Sequence, residues 1–287
     1  MITIFAPAGI GEVADGDDLA RLVTDAVAAD PAGPLSPGDI VVVTSKIVSK
    51  AEGRRVPAGD REHAISRESV ATVAWRGPMR IVRTRLGLVQ AAAGVDNSNV
   101  SPADVLLLPD DPDGSAAVLG KQLSIAAGGP VGVIISDTAG RAWRVGQTDH
   151  AIGAAGVVVG RSYAGLTDDY GNPLQVTLMA LADELAAAAD LVKGKLSQHP
   201  VAVVRGLSDL VVDQRSAATE LIRPAAEDMF ARGSRESVVA AVLSAVGRPD
   251  AYEQVVGLEG EDLVEAVLEC CAADERDLVA RILRAGG

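Results

Sequence analysis

The chain has 287 residues, a formal net charge of −13 and 48% hydrophobic residues, a length that allows one large domain or two modest ones. The acidic balance and the 2% aromatic content argue against a nucleic-acid binder, which needs clustered basic residues and stacking rings. No apolar run approaches the ~18 residues of a membrane span, and the N-terminus lacks the basic segment of a signal peptide. We therefore expect a cytoplasmic protein that binds neither nucleic acid nor a membrane.

Short strands and helices alternate in the first half of the chain. Residues 1–8 and the β-branched run 40–44 predict strands, the second of them buried on both faces. Apolar residues at helical spacing predict a helix over 17–29, and one or two helical turns follow the second strand. The other elements predicted here are a helix around 60–75, a strand near 80–84 and a helix over 115–127.

The second half predicts further strands and then helices alone. The run 131–135 predicts a buried strand, and a long loop rich in glycine and arginine follows it. Strands are also predicted at 157–159 and 201–204, with a helix at 179–192 between them. Because strands and helices interleave without a regular βαβ repeat, the pattern favours an α+β fold over a Rossmann sheet. We expect a main domain over 1–233 and an all-helical C-terminal extension over 234–287.

The ligand-forming residues point to a particular class of metal. The two cysteines, Cys270 and Cys271, are adjacent, and the three histidines have no cysteine partners at zinc spacing. Any bound metal should therefore be a hard ion held by oxygen atoms, such as Mg²⁺ or Mn²⁺.

Two common nucleotide motifs are absent or incomplete. The sequence contains no P-loop motif. Gly9, Gly11 and Ala14 match a dinucleotide fingerprint, but an Asp-rich turn separates them from the helix that they should open. A nucleotide-dependent oxidoreductase remains an alternative, as does a non-catalytic nucleotide-binding protein.

Polar side chains follow two of the predicted buried strands. Ser45 and Lys50 come after the strand at 40–44, and Asp137 and Thr138 come after the strand at 131–135. Strand ends in mixed sheets converge on a crevice where ligands bind, and a helix start attracts phosphate. The alternative for the first group is a serine N-cap followed by solvated lysines.

Two aspartates are candidate metal ligands. Asp137 is driven towards the sheet edge, where a charge must be paired or bound to metal, and Asp96 lies in a loop of small residues with Asn99. Asp96 and Asn99 could instead form an Asx-turn that organises their own loop. Arg141 and Arg144 could hold substrate carboxylates or phosphates, or serve only surface solubility.

Taken together, these segments resemble one family, the coenzyme F420-0:L-glutamate ligases, which are γ-glutamyl ligases of deazaflavin cofactor biosynthesis. The resemblance covers about residues 1–230 in long, ordered blocks. The blocks that carry it are GDIVVVTSKIVSKAEG (38–53), RLGLV (85–89), AAGVDNSN (92–99), ISDTAGRAWRVGQT (135–148), ADELAAAADL (182–191) and PVAVVRG (200–206).

The resemblance implies a mixed-sheet γ-glutamyl ligase fold and a site for GTP and metal ions. The implied GTP-binding residues are Ile10, Gly11, Glu12, Val13, Ser45, Lys50 and Asn99. The implied metal ligands are Asp96 and Asp137 with Thr138 beside them, and the implied catalytic residues are Lys50, Arg141 and Arg144. Archaeal members of the family also carry a metal-binding glutamate after the Ala/Leu helix, where this chain has the run Lys193-Gly194-Lys195 and no glutamate.

The resemblance further implies the reaction and the partners. GTP would drive addition of L-glutamate to coenzyme F420-0 through an acyl phosphate, with Mg²⁺ or Mn²⁺ and with K⁺ assisting. The protein is expected to be a homodimer. A deazaflavin-dependent oxidoreductase stays open as an alternative beside the nucleotide-dependent one. Some relatives carry an additional flavin-binding domain, and since residues 234–287 do not resemble its core, no FMN is expected.

Overall fold

A computed structural model describes residues 1–175, 177–213 and 215–285 and divides them into two compact units. Unit 1 is formed by Met1–Arg61 with Val95–Ile222, and unit 2 by Glu62–Gly94 with the described part of Arg223–Gly287. The predicted domain division after residue 233 stays a prediction, and residues 286 and 287 of the expected extension lie outside the described residues.

The elements of the described chain confirm an α+β fold with helices at its C-terminal end. The strands are β1 Thr3–Phe5, β2 Ile40–Thr44, β3 Arg55–Pro57, β4 Ser69–Arg76, β5 Met79–Thr84, β6 Val89–Ala91, β7 Asp104–Leu106, β8 Gly132–Arg141, β9 Arg144–Ala155, β10 Arg161–Ser162, β11 Leu178–Met179 and β12 Val201–Arg205. The α-helices are α1 Leu19–Ala29, α2 Ser45–Ala51, α3 Arg61–Glu68, α4 Pro112–Ala127, α5 Leu181–Lys193, α6 Ser234–Ala245, α7 Tyr252–Val255, α8 Gly260–Glu269 and α9 Arg276–Ala285.

Unit 1 is built on a five-stranded mixed sheet in the order β1-β12-β2-β8-β9. The β2–β8 pair is parallel and the other neighbours are antiparallel. Ile40 of β2 packs with the alanines of α5 on one face. Val133 of β8 lies in register with Val41 and meets Gly120 of α4 on the other face. The central strands are therefore buried on both faces, as their continuous β-branched runs predict.

Unit 2 combines a three-stranded antiparallel sheet, β4-β5-β6, with the four C-terminal helices. Trp75 of β4 packs against the core of those helices. Backbone N–H groups of β4 donate to helix carboxylates, from Thr72 to Glu253 and from Trp75 to Glu236, each at 3.1 Å. The helices thus accept hydrogen bonds from backbone N–H groups of β4.

Three predictions of local structure are wrong, two of them for reasons visible in the structure. The helix expected around 60–75 ends at residue 68, because Val70, Thr72 and Val73 favour a strand that pairs with β5. The loop expected after residue 135 is the β8–β9 hairpin, whose polar, glycine-containing end hides the strand pattern. Only an isolated bridge, Val157 to Val211, forms where a strand was expected at 157–159.

No helix in the described part of the chain combines the length and the apolar character needed to cross a membrane.

Candidate functional site

The parallel pairing of β2 and β8 brings two predicted site residues together. Thr44 at the end of β2 lies opposite Ser136 of β8, so the residues that follow them are neighbours. Ser45 Oγ donates a hydrogen bond to Asp137 Oδ1 at 2.9 Å. The α2 N-cap is Thr44, and the lysine at position 50 is buried, so the alternative of a serine N-cap with solvated lysines is wrong.

Asp137 occupies an environment that disfavours its negative charge. Burial raises the pKa of Asp137, and the opposing hydrogen bond from Ser45 and positive charge from His150 and Lys46 only partly offset this. The nearby carboxylate of Asp149 raises the pKa of Asp137 further. A cation beside Asp137 would therefore stabilise its ionised form.

Asp96 belongs to a loop that α2 helps to hold. Its backbone N–H and C=O both bond to Leu106. Ser98 donates to its carboxylate twice, from N to Oδ1 at 2.8 Å and from Oγ to Oδ2 at 2.9 Å, so the predicted Asx-turn is present. Lys46 Nζ lies 2.6 Å from Asp96 Oδ2. Burial raises the pKa of Asp96, but these bonds and the Lys46 charge outweigh it, and the net pKa is lowered.

Asn99 lies on the surface near Asp96, whereas Thr138 points to the face of β8 opposite Asp137. Asn99 is exposed beside the Asp96 loop with a left-handed φ of 58°. Thr138 Oγ1 donates to Asp149 Oδ1 at 2.6 Å, on the opposite face of β8 from Asp137, because successive strand residues alternate in direction. The predicted place of Thr138 beside a metal stays a prediction, which this orientation does not favour.

The predicted nucleotide-binding turn meets α2 through an ion pair. Glu12 Oε1 lies 2.7 Å from Lys50 Nζ and 3.5 Å from an Arg55 nitrogen. Ile10 and Val13 are buried and anchor the turn, whereas Gly11 and Glu12 are exposed. The turn therefore presents its backbone and one carboxylate above a buried lysine.

Arg141 and Arg144 lie at the far end of the β8–β9 hairpin and are exposed. Arg141 is four residues beyond Asp137, so their Cα atoms lie roughly 13 Å apart at about 3.3 Å per residue along a strand. Its guanidinium donates to the carbonyl of Val145 at 3.5 Å. The structure therefore does not bring either arginine to the Ser45–Asp137 pair within this chain.

A buried charge network behind Asp137 was not predicted. Lys193 Nζ, at the end of α5, lies 2.8 Å from both Asp149 Oδ2 and Ser136 Oγ. Burial raises the pKa of Asp149, but pairing with Lys193 and hydrogen bonds from Thr138 and Ser136 outweigh it, so the net pKa is lowered. The sequence offered one indication of this network: Lys193 is the last residue on the apolar face of α5. Lys195, by contrast, is exposed.

The chemistry of the Asp137 and Asp96 side chains suits a hard divalent cation. Among residues 1–175, 177–213 and 215–285, no cluster of three or more His, Cys, Asp or Glu is arranged to hold a metal by itself. Asp96 and Asp137 supply carboxylate oxygens, the donors that Mg²⁺ and Mn²⁺ prefer, and burial makes the charge of Asp137 costly without a cation. Mg²⁺ commonly takes one or two carboxylates, its other ligands being water and phosphate.

Comparison with known proteins places these residues in a known family. The family model described as F420-0:Gamma-glutamyl ligase matches residues 9–206. A protein named coenzyme F420:L-glutamate ligase from Archaeoglobus fulgidus is 35% identical over 250 residues, covering 80% of this chain and 97% of that protein. Proteins of the same name from Natronomonas pharaonis and Methanopyrus kandleri are 40% and 36% identical. Those matches cover 68% and 76% of this chain, and 82% and 93% of the two relatives.

Proposed function

The chain belongs to the F420-0:gamma-glutamyl ligase family, and we propose from this that it joins L-glutamate to coenzyme F420-0 in a GTP-dependent reaction. The observation that carries the proposal is the convergence of Ser45 and Asp137 at the ends of two parallel strands, with Lys46 and Lys50 on the helix that follows. Such a crevice at the carboxyl ends of strands suits a phosphate-bearing ligand.

The proposed reaction has two steps. A carboxylate does not form an amide with an amine at neutral pH unless one of its oxygens becomes a leaving group. An oxygen of the terminal F420-0 carboxylate attacks the γ-phosphorus of GTP, which forms an acyl phosphate and releases GDP. The α-amine of glutamate then attacks the acyl carbon, phosphate departs, and the amine loses a proton. Further glutamates would be added through γ-linkages by the same two steps.

The chain's own residues would serve chiefly to position and neutralise charge. The turn over residues 10–13 would bind the nucleotide with Ser45 and Asn99, and the Lys50 ammonium would contact its phosphates once Glu12 gives way. Asp96 and Asp137, with Thr138 as a further predicted ligand, would hold Mg²⁺ or Mn²⁺. When bound, that ion supplies neutralisation of phosphate charge. K⁺ is proposed as a second cation that assists the reaction with GTP.

The tip of the β8–β9 hairpin carries two proposed roles, substrate binding and contact with a second copy of the chain. Arg141 and Arg144 would pair with substrate carboxylates or phosphates. Trp143 and Val145 at the same tip are 81% and 101% exposed, an apolar surface that a second copy of the chain would cover. We propose a homodimer on this basis, and sedimentation equilibrium tests it: a monomer at micromolar concentration would contradict it.

Product analysis tests the function directly. The protein is incubated with GTP, coenzyme F420-0, L-glutamate and Mn²⁺, and the deazaflavin products are weighed by mass spectrometry. We expect successive glutamyl mass increments, with one GDP and one phosphate released for each. Reduction of the deazaflavin when a reduced nicotinamide nucleotide is added as hydride donor, without a glutamyl mass increment, would support an oxidoreductase instead. GTP binding without phosphate release would support a non-catalytic nucleotide-binding protein.

Replacing Lys50 with methionine should weaken GTP binding by about tenfold to 100-fold, because a charge-assisted hydrogen bond is worth about 1.5–3 kcal/mol. Methionine preserves most of the buried stem and removes the ammonium with its charge and its hydrogen-bond donors. Titration with a fluorescent GTP analogue measures the effect, and Lys121→Met, an exposed change on α4, is the matched control. Equal affinity in the Lys50 variant and the control would remove Lys50 from the site.

A further inference from the structure

Lys46 has no part in the mechanism above, yet its ammonium contacts one proposed metal ligand, Asp96, and its charge acts on the other, Asp137. Its Nζ is 2.6 Å from Asp96 Oδ2 and also donates a hydrogen bond to Ser98 Oγ. Its charge also acts on Asp137, and the residue before it in the chain, Ser45, binds Asp137 directly. One side chain in the first turn of α2 thus links both carboxylates electrostatically.

The contacts of Asp96 leave little room for a second cation while Lys46 stays in place. Oδ1 accepts from the Ser98 backbone, and Oδ2 accepts from Ser98 Oγ and contacts Lys46. A divalent ion that coordinates this carboxylate must take over lone pairs that these donors use. It would also stand beside an ammonium of the same sign, which like-charge repulsion disfavours. The ion and the ammonium are therefore competitors for Asp96.

We propose that Lys46 is a positioning residue that holds Asp96 in the absence of metal, is displaced when a divalent cation binds, and then contacts the nucleotide phosphates. The proposal rests on the proposed function, since it needs both the metal and the triphosphate. The Lys46 side chain is 16% exposed, so it is not fully enclosed. Its flexible stem allows a point charge to change partners without movement of α2.

Lys50 provides the internal comparison. It lies one helical turn further along α2, and its ammonium pairs with Glu12 at 2.7 Å. A shared helix face therefore carries two lysines with different partners: Lys46 with the metal-ligand loop, and Lys50 with the predicted nucleotide-binding turn. Exchange with a divalent ion is expected at Lys46, because only there do the ammonium and the ion use the same carboxylate.

The test measures Mn²⁺ binding without nucleotide, by electron paramagnetic resonance of the free ion. If the ammonium competes with the ion, Lys46→Met should bind Mn²⁺ about tenfold more tightly than the unaltered protein. Lys46→Gln should behave in the same way and serves as a second neutral variant. Lys46→Arg keeps the charge and should keep ordinary affinity, as should Lys121→Met, the exposed control on α4.

Turnover and a double-variant cycle complete the test. At saturating Mn²⁺, Lys46→Met should lose at least tenfold in turnover and raise the KM for GTP, so tighter metal binding accompanies slower catalysis. In an Asp96→Asn background, Lys46→Met should no longer change Mn²⁺ affinity, because the shared carboxylate is gone.

Three outcomes would overturn the proposal. Unchanged or weaker Mn²⁺ binding in folded Lys46→Met and Lys46→Gln would show that Lys46 only supports the loop. An equal effect of Lys46→Met in the Asp96→Asn background would show that the competition does not pass through Asp96. Absence of Mn²⁺ binding to the unaltered protein would overturn both the metal site and the exchange at Lys46. In that case, glutamyl products in the mass analysis would still support the proposed ligase function.

Discussion

Replacing Asp137 with asparagine is expected to reduce the rate of glutamate addition by well over tenfold, on the order of 100-fold, because a metal-binding carboxylate supplies several kcal/mol of charge stabilisation. Asparagine keeps the size of the side chain and an oxygen that can accept the Ser45 hydrogen bond. The change therefore removes the charge and can keep the Ser45 hydrogen bond. Phosphate release from GTP in the presence of both co-substrates, measured across a range of Mn²⁺ concentrations, gives the rate and the metal dependence.

Asp25→Asn on the exposed side of α1 is the matched control, since it removes the same charge away from the strand ends. Its turnover and its Mn²⁺ dependence should equal those of the unaltered protein. Near-normal turnover with intact Mn²⁺ dependence in Asp137→Asn would refute the role of Asp137. A loss of turnover accompanied by loss of the folded circular dichroism spectrum would assign Asp137 to stability instead.

Replacing Lys193 with methionine is expected to lower the free energy of unfolding by about 3–5 kcal/mol. The substitution leaves the Asp149 carboxylate buried, with both remaining hydroxyl donors but no opposite charge. Two hydroxyl donors replace only part of the hydration that a buried carboxylate loses. Urea denaturation followed by circular dichroism measures the change, and hydrogen exchange of the β8 and β9 amides locates it.

Two comparisons make the Lys193 prediction specific. Lys121→Met, on the exposed side of α4, should change stability by less than about 0.5 kcal/mol. Adding Asp149→Asn to Lys193→Met should recover part of the loss, because no unpaired charge then stays buried. A Lys193→Met variant as stable as Lys121→Met, or a double variant less stable than the single one, would contradict the assigned pairing.

The same pair gives a pH dependence of defined sign. Because the folded protein lowers the pKa of Asp149, this group contributes stability above its unfolded pKa and loses it as the pH falls through the folded value. The unaltered protein should therefore lose part of its stability on the acid side. Lys193→Met should lack that part of the acid dependence, which urea titrations at a series of acidic pH values would show.

Much of unit 1 could be predicted from its sequence, because its central strands are apolar on both faces. A continuous run such as 40–44 has few alternatives to a buried strand, and a polar residue directly after it must emerge at the sheet edge. That reasoning places Ser45 and Asp137 near the same edge, where the structure confirms their contact. The signal for each strand end is local, whereas the contact itself depends on the parallel pairing of β2 with β8.

The hairpin and the buried ion pair could not be predicted in this way. The outer ends of β8 and β9 are exposed, so neither apolar content nor burial marks them as strands. Lys193 and Asp149 are separated by 44 residues, and their contact depends on the packing of α5 on the sheet. A lysine at a helix end is ordinarily solvated, and only tertiary structure shows that this one is enclosed.

The divided chain of unit 2 has a consequence for synthesis on the ribosome. Residues 62–94 leave the ribosome about 140 residues before α6, whose Glu236 accepts a bond from β4 and whose neighbours form the apolar core against Trp75. At about 5–20 residues per second, this nascent sheet waits roughly 7–28 s for its helices. During that interval its apolar side and open strand edge are available to other chains, so we expect the yield of folded protein to depend on chaperones that shield nascent strands.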